Sequence, residues 1–368
     1  MKAFYKMIVA AVAAGVFVNA YSKVILPSFY ADNMVLQQKA LMTVKGKAIP
    51  NSTVKFKASW DNKTILAKAD AQGEFTIKFR VPAASMKAYK LSFSDGNGEK
   101  VLSDVYSGEV WLCSGQSNME MPVKGWGMIN ENDREVADAA KYPMIRFLQV
   151  RMFANKNKPA DDPGLWKTWE ICSPQNVEKF SALAYLFGKE LYDRLRVPIG
   201  LVQSAYGGAS AEAWMGLETL KTFPEMKDEL EKYGKYNFVN DTIQKYAKRA
   251  EQQIPTLLYN TMLYPLHVLP VKGVIWYQGC NNVGNSNYTQ IMNGLIKSWR
   301  NLWGYNFPFY YVQLAGFLKQ ETVQPESNWA ALRWSQWKTL ELPRTGMATA
   351  VDIGNEKDIH PKNKQEVA

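Results

Sequence analysis

Short alternating stretches dominate the first quarter of the chain. Apolar and polar residues alternate along 41–46, 54–58 and 75–79, which is the pattern of strands with one buried face. Turn-forming residues separate such stretches at 50–51, 61–62, 72–73 and 95–98. Because short strands with regular turn signals are typical of sandwiches, we predict a small N-terminal β-sandwich domain over residues 23–105.

Near residue 107 the pattern changes to apolar strands that alternate with longer amphipathic segments. The apolar runs predict strands at 145–150, 199–204, 273–277, 309–314 and 347–353. Helical periodicity predicts helices at 180–195, 225–253 and 288–302. Strands that alternate with helices indicate an α/β fold, a parallel sheet flanked by helices, and we assign it to residues 106–368.

One apolar strand, residues 110–113, runs into a polar turn that presents Ser117. A serine hydroxyl is a weak nucleophile unless a neighbouring base removes its proton and a third group orients that base. The chain has two histidines: His360 follows the last predicted strand, whereas His267 lies in an apolar run and is interpreted as structural. The residues around Ser117 lack the second glycine of a G-x-S-x-G elbow, which argues against the usual α/β-hydrolase turn.

Four polar segments each follow a predicted strand, and they contain Ser117, Gly208, Asn282 and His360. Open α/β sheets bind ligands at the carboxyl ends of their strands. We therefore expect these four residues to converge at that edge of the sheet, although they are far apart in sequence.

These segments also carry a resemblance to a known family. They read GQSNM at 115–119, QSAYGG at 203–208, WYQGCNN at 276–282 and DIHPKNKQ at 358–365, and the opening segment 26–37 reads LPSFYADNMVLQ. The chain resembles SGNH-type hydrolases and, more narrowly, the sialate O-acetylesterase family. The resemblance implies an SGNH-hydrolase-like sheet and an esterase that removes O-acetyl groups from sialic acids by a serine acyl-enzyme route, without a cofactor.

The family's roles map onto this chain residue by residue. Ser117 would attack the acetyl carbonyl, and His360 would accept its proton and later return it to the departing sugar hydroxyl. The backbone N–H groups of Ser117 and Gly208, with one side-chain amide, would form the oxyanion hole. Three further side chains are assigned to substrate binding: Gln116, Asn118 and Gln278.

The donor of that side-chain amide stays open. Cys280 stands where the family usually has a glutamate, and Asn282 matches the family's asparagine by position. Asn281 fits the generic Gly-x-Asn spacing, and Gln278 is the third alternative. We assign the role to Asn282.

The acid that orients His360 also has alternatives. Many SGNH enzymes place it three residues before the histidine, where this chain has Lys357. Asp358 lies two residues before His360 and is our assignment, Asp352 lies eight before, and a Ser/His dyad oriented by a backbone carbonyl is the third option.

Charge and cysteine content exclude other classes of function. The formal net charge is +10, but Lys and Arg are spread along the chain without a nucleic-acid-binding motif, so we expect a solvated basic surface and no nucleic-acid partner. Three cysteines do not form a disulfide framework, and their spacing fits no metal site. We therefore expect no catalytic metal.

The first residues read as a targeting segment. A basic start, an apolar run over 7–18 and small residues near 20–22 are typical of a secretory signal peptide, residues 1–22. No later run is long enough to span a membrane, so we expect a secreted or periplasmic enzyme. The chain ends eight residues past His360, within the apparent start of a helix, and we expect a truncated C-terminus.

The motifs do not identify the sugar. An acetylxylan or other glycan deacetylase is the alternative enzyme, and a non-catalytic glycan-binding remnant of an esterase is the alternative of a different class. Four aromatic residues near the motifs are candidates for a sugar platform or for the core: Trp126, Tyr206, Trp214 and Trp276. The sequence does not predict an oligomeric state.

Overall fold

The structure, a computed structural model, describes residues 24–154, 157–235, 250–323 and 325–368. The predicted signal peptide lies outside the described residues, as does the middle of the helix predicted at 225–253. No helix in the described ranges combines the length and apolar character that crossing a bilayer requires.

The N-terminal region consists of short strands, and the three alternating stretches are confirmed as β2, β3 and β5. In β5 the side chains of Phe75, Ile77 and Phe79 are buried and those between them are exposed, as the alternation predicts. Strand β2 pairs with β5, and β3 pairs with β4 and β6, all antiparallel. The strands are β1 (Val35–Gln37), β2 (Leu41–Lys47), β3 (Thr53–Ala58), β4 (Thr64–Lys68), β5 (Glu74–Arg80), β6 (Ser85–Ser94) and β7 (Glu99–Gly115).

Strand β7 connects the two parts of the chain. Its first half pairs antiparallel with β6 from Glu99 to Ser107. Its second half, from Glu109 onward, is the central strand of a second, mostly parallel arrangement. The predicted boundary between residues 105 and 106 therefore falls inside one continuous strand that leads directly to Ser117.

The second half of β7 lies in a sheet with the order β13-β12-β11-β7-β10-β8-β9. All neighbours are parallel except β8 and β9. The mixed α/β architecture with a mostly parallel sheet is confirmed. Strands β10 and β11 are buried along their whole length, because elements cover both faces of the sheet. The strands are β8 (Ile145–Val150), β9 (Leu165–Ile171), β10 (Ile199–Ala205), β11 (Gly273–Tyr277), β12 (Phe309–Val312) and β13 (Thr345–Ala348).

Helices flank this sheet, and those predicted at 180–195 and 288–302 are confirmed as α4 and α7. The α-helices are α1 (Ser117–Glu120), α2 (Asn132–Asp138), α3 (Pro174–Val177), α4 (Ala182–Leu195), α5 (Leu217–Leu220), α6 (Lys227–Gly234), α7 (Tyr288–Trp303) and α8 (Asn328–Lys338). A π-helix spans Tyr259–Leu263. The 3-10 helices are Ala139–Lys141, Ala211–Trp214, Pro224–Met226, Glu251–Gln253, Tyr264–Val268, Cys280–Asn282, Thr339–Glu341 and Gln365–Val367.

Helix α8 and strand β9 are among the elements that the sequence analysis did not predict. Helix α8 exposes Trp334 and Trp337 on its outer side. Its own apolar residues therefore occur on all sides of the helix, and no single apolar stripe in the sequence marks the buried face. Strand β9 lies at the edge of the sheet and exposes Trp166, Lys167 and Thr168, which removes the regular alternation.

Candidate active site

The turn after β7 places Ser117 at the carboxyl edge of the sheet. Gly115 has a φ of 141°, and a Cβ atom there would lie 2.2 Å from the carbonyl oxygen of Tyr277, so only glycine allows this approach of β7 to β11. The N–H of Gln116 donates to the same carbonyl at 2.9 Å. Helix α1 begins at Ser117, whose side chain is half-buried.

His360 reaches this serine from the far end of the chain. Its Nε2 lies 2.8 Å from Ser117 Oγ, and its Nδ1 lies 2.9 Å from Asp358 Oδ1. The same carboxylate oxygen accepts the backbone N–H of His360 at 2.9 Å. Asp352 is exposed and has no such contact with the imidazole. The structure thus brings Ser117, His360 and Asp358 together in a line.

The ionisation state of Asp358 determines which ring nitrogen of His360 carries the hydrogen. Burial alone would raise the pKa of this carboxyl group, but hydrogen bonds from the backbone and the ring of His360 outweigh burial and lower the pKa below its usual value. An ionised carboxylate only accepts hydrogen bonds, so Nδ1 carries the ring hydrogen. The neutral ring then presents a lone pair on Nε2, which can accept the proton of Ser117.

The two glycines after β10 lie beside the serine. A Cβ atom built on Gly207 would lie 3.6 Å from the Cβ of Ser117, and the N–H of Gly207 donates to Glu120 Oε2 at 2.5 Å. Gly208 has a left-handed φ of 70°. Within the described ranges, neither the N–H of Ser117 nor that of Gly208 donates to a protein acceptor. Both N–H groups are available to a ligand oxygen.

Asn282, Gln278 and Glu212 form a group that we call the buried polar cluster. Asn282 Nδ2 donates to both carboxylate oxygens of Glu212 at 3.0 and 2.9 Å. Its Oδ1 accepts from Gln278 Nε2 at 2.6 Å and from the N–H of Ala211 at 3.0 Å. Gln278 Nε2 also donates to the carbonyl of Ala209 at 3.0 Å. Neither amide therefore has a hydrogen left over for an oxyanion.

The alternative amide, Asn281, is arranged differently. Its side chain is exposed, and its Oδ1 accepts a hydrogen bond from Gln253 Nε2 at 3.1 Å. This bond uses the oxygen and leaves the Nδ2 hydrogens uncommitted to any described residue.

The residues predicted to bind substrate are buried and bonded to the protein. Gln116 Oε1 accepts the N–H of Gly279 at 3.0 Å, and Asn118 Nδ2 donates to the carbonyl of Ile359 at 2.9 Å. Gln278 belongs to the buried polar cluster and is fully buried. In this structure the three side chains connect the segments of the site to one another.

A cleft of about 300 Å³ shares Trp126 and Glu120 with the surroundings of the site, and neither Ser117 nor His360 is among the residues that line it. The Trp126 ring forms part of its wall and meets the His360 ring edge-on, with a centroid distance of 5.4 Å. The cleft is lined by Glu120, Lys124, Trp126, Gln149, Trp166 and Lys179, among others. Of the other candidate aromatics, Trp214 and Trp276 pack against each other in the core, and Tyr206 donates to Glu251 at 2.6 Å.

The remaining titratable residues have other surroundings. His267 Nδ1 lies 2.6 Å from the carbonyl oxygen of Tyr264, apart from the site. The three cysteines are free thiols. Among the residues that the structure describes, His, Cys, Asp and Glu form no group of three suited to a metal ion.

Three residues of this region were missed by sequence reasoning. Glu212 supports Asn282, Glu120 holds Gly207, and Lys364 donates to Asn118 at 2.6 Å. Glu120 and Lys364 lie inside or next to the segments that contain Ser117 and His360, and that proximity is a signal that could have found them. Glu212 has no such signal.

Known proteins match this chain over most of its length. The model of the family described as carbohydrate esterase, sialic acid-specific acetylesterase, matches residues 107–368. The sialate O-acetylesterase of Mus musculus is 30% identical over 386 aligned positions, which cover 92% of this chain and 70% of the mouse protein. The Homo sapiens sialate O-acetylesterase is 29% identical and covers 93% of this chain and 68% of its own length.

A solved structure agrees with these relatives. The crystal structure of a carbohydrate acetylesterase from Xanthomonas citri superposes with a TM-score of 0.80 at 37% identity, covering 94% of this chain and 72% of that one. The fold and the site define a member of an α/β class of ester hydrolases. The chain belongs to the sialic acid-specific carbohydrate acetylesterase family, whose members hydrolyse carboxylic esters of sugars.

Proposed function

We propose that this chain removes O-acetyl groups from sialic acids through an acetyl-enzyme formed on Ser117. The observation that supports this most directly is the 2.8 Å contact between Ser117 Oγ and His360 Nε2, with Asp358 on the opposite nitrogen. A hydroxyl, an imidazole and a carboxylate in this order supply a nucleophile, its base and the group that orients the base.

The reaction proceeds in two halves. Ser117 Oγ attacks the acetyl carbonyl carbon while its proton passes to His360 Nε2. The tetrahedral intermediate collapses, the ester C–O bond breaks, and the sugar oxygen leaves with the proton from His360. A water molecule then attacks the acetyl-enzyme with His360 again as the base, which releases acetate and restores Ser117.

The oxyanion of each intermediate is bound by the N–H groups of Ser117 and Gly208. Both N–H groups lack protein acceptors in the described ranges, as an oxyanion hole requires. Asn282 can act as the third donor only by sharing a hydrogen that it gives to Glu212. For Gln116, Asn118 and Gln278 we propose positioning of the site in place of direct substrate contact, because their burial and protein partners support that role.

The cleft lined by Trp126 is the proposed sugar site. Its volume suits one sugar unit, and it combines exposed tryptophan surface with polar groups, as carbohydrate sites do. A sialic acid carries a carboxylate, and two lysines, Lys124 and Lys179, are among the residues that line the cleft, although Lys124 already pairs with Asp133 at 2.8 Å. Another acetylated glycan is the alternative substrate, since the Xanthomonas citri structure is described only as a carbohydrate acetylesterase.

The mechanism is tested with p-nitrophenyl acetate and with acetylated sialosides. We expect turnover by the wild type, an acetyl adduct on Ser117 in rapidly quenched samples, and loss of both in Ser117→Ala. Ser114→Ala is the matched control, because Ser114 lies buried in the same strand and its hydroxyl has no hydrogen-bond partner among the described residues. Full activity of Ser117→Ala would refute the mechanism, and glycan binding without turnover by the wild type would favour a non-catalytic remnant.

A panel of substrates separates the two enzyme functions. Faster hydrolysis of acetylated sialosides than of acetylated xylo-oligosaccharides supports the sialic acid assignment. The opposite preference transfers the assignment to another glycan while leaving the Ser117 mechanism in place.

We further propose export through residues 1–22 and a β-sandwich domain over residues 23–105 ahead of the esterase domain at 106–368. Stacking of Phe56 on β3 against Phe79 on β5, at a centroid distance of 4.4 Å, supports two packed layers in the N-terminal part. N-terminal sequencing of the exported protein tests the first proposal, and limited proteolysis near residue 105 tests the second.

A further inference from the structure

Lys364 is a buried lysine directly behind the proposed active site. Its side chain is fully buried, and its Nζ donates to Asn118 Oδ1 at 2.6 Å. The same ammonium group lies 5.2 Å from the centroid of the Tyr277 ring. A buried charge is costly unless hydrogen bonds or an opposite charge compensate it. The burial of Lys364 at this position is therefore costly and indicates a role for its side chain.

Asn118 connects Lys364 to the histidine. The amide nitrogen of Asn118 donates to the carbonyl of Ile359, the residue before His360, and the amide oxygen accepts from Lys364, four residues after His360. Asn118 itself follows Ser117 in the chain. One amide therefore ties the histidine segment on both sides of His360 to the turn that carries the nucleophile.

Nothing described nearby neutralises Lys364 fully. Burial lowers the pKa of Lys364 to about 7, and its titratable neighbours are Cys280 and Asp358, with Tyr277 beside it. Burial raises the pKa of the Cys280 thiol to about 12, so this thiol is uncharged near neutral pH. The Asp358 carboxylate bonds to His360. Within the described residues, no carboxylate lies within ion-pair distance of Lys364.

We propose that Lys364 is a positioning residue for the esterase reaction: through Asn118, its ammonium group holds His360 in hydrogen-bonding contact with Ser117. This inference rests on the proposed mechanism, in which His360 must take the proton of Ser117. A charge-assisted bond is shorter and stronger than one between neutral groups, which suits it to fixing a loop. Lys364 is not among the residues that line the proposed sugar cleft, so we expect its loss to change kcat more than KM.

Kinetics of Lys364→Met test this role. With p-nitrophenyl acetate we expect kcat to fall roughly 10- to 100-fold, the scale of a small misplacement of catalytic groups, while KM changes little. Lys357→Met is the matched control, because Lys357 is an exposed lysine of the same segment, and we expect it to behave as the wild type. Lys364→Gln, which keeps a neutral donor, serves if the methionine variant does not fold and is expected to retain intermediate activity.

A double-mutant cycle tests whether Lys364 acts through Asn118. If it does, Lys364→Met should add little further loss in the Asn118→Ala background, because residues that share one interaction are not additive. Losses that multiply in the double variant would overturn the proposal.

The two histidines allow a readout that a merely structural role would not change. With isotope-labelled histidine, NMR should show a shifted His360 signal in Lys364→Met and an unshifted His267 signal, since His267 lies outside the site. The ratio of wild-type kcat to that of Lys364→Met should also fall from pH 6 to pH 9, as the ammonium group loses its proton around pH 7.

The failure of this inference is distinct from failure of the mechanism. Full activity of Lys364→Met with an unchanged His360 signal would overturn the positioning role alone, provided that Ser117→Ala is inactive. Activity in Ser117→Ala would overturn both.

Discussion

The line of Ser117, His360 and Asp358 differs from the buried polar cluster in how its hydrogen-bonding capacity is used. Ser117 is half-buried, the His360 side chain is 23% exposed, and the N–H of Ser117 has no described acceptor. In the cluster, Asn282 and Gln278 are buried and donate every side-chain amide hydrogen to a protein acceptor. Both regions contain polar residues from the sequence motifs, yet only the first has hydrogen-bonding capacity left for a ligand.

From this difference we expect the first region to take part in the reaction and the buried polar cluster to stabilise the fold. Loss of a reactive group should reduce turnover and leave the fold stable, because few other groups depend on it. Loss of a cluster member leaves a buried partner unsatisfied, which costs about 1–3 kcal/mol of stability. Measuring activity and melting temperature on the same variants therefore tests the comparison directly.

The largest effect is expected at the histidine. His360→Ala removes the proposed base, and general acid–base catalysis contributes about 10²- to 10⁴-fold, so we expect kcat/KM to fall by that factor with little change in melting temperature. His267→Ala is the control, since His267 is the other histidine of the chain and lies away from Ser117. Comparable losses of activity in both variants would mean that the contact of His360 with Ser117 does not identify His360 as the base.

The next effect is expected at the acid. Asp358→Asn loses the charge that stabilises the imidazolium, and because the Asp358 side chain is 45% exposed, solvent weakens the effect to roughly 10- to 100-fold in kcat. Asp352→Asn should retain wild-type turnover, because Asp352 has no contact with His360. The reverse order would transfer the role to Asp352, and mild, equal losses would favour a dyad.

Sequence reasoning predicted the sheet well because its signals are local. Strand β11, with the sequence GVIWY, appears at the predicted residues, since a continuous apolar run is what burial on both faces requires. Helix α8 was missed because Trp334 and Trp337 are exposed. The sequence predicts only residues 110–113 of the long strand β7, because the change of partners from β6 to β10 occurs without a break in the chain.

At the site, the sequence predicts which residues come together but does not predict the hydrogen-bond partners of each side chain. Ser117 and His360 lie 243 positions apart and meet as the order of parallel strands predicts. Whether an amide faces a ligand or a buried carboxylate depends on a partner such as Glu212, which lies in an unrelated segment. The division of roles between Asn282 and Asn281 therefore could not be derived from spacing.

That division can be sharpened by variants of the two asparagines. Asn282→Ala removes two of the hydrogen bonds to the buried Glu212 carboxylate and leaves the one from Asn285. We therefore expect a lower melting temperature, equivalent to about 1–3 kcal/mol, and less than about a tenfold loss of kcat in the fraction that folds. Asn281→Ala, at an exposed position, should leave stability unchanged. An unchanged melting temperature in Asn282→Ala with a loss of kcat near 10²-fold would instead assign the oxyanion role to Asn282.

The smallest effect is expected at Glu120, which lies between the two regions and holds Gly207. Burial raises the pKa of this carboxyl group, although the hydrogen bond from Gly207 partly opposes the change. A group whose folded-state pKa is raised binds more protons in the folded state than in the unfolded one, so its contribution to stability declines as pH rises through that range. Glu120→Gln keeps an oxygen acceptor for Gly207 without the charge. The melting temperature of Glu120→Gln relative to wild type should therefore increase between pH 4 and pH 7, and a difference that is constant across this range would mean that the carboxylate is not destabilised by its burial.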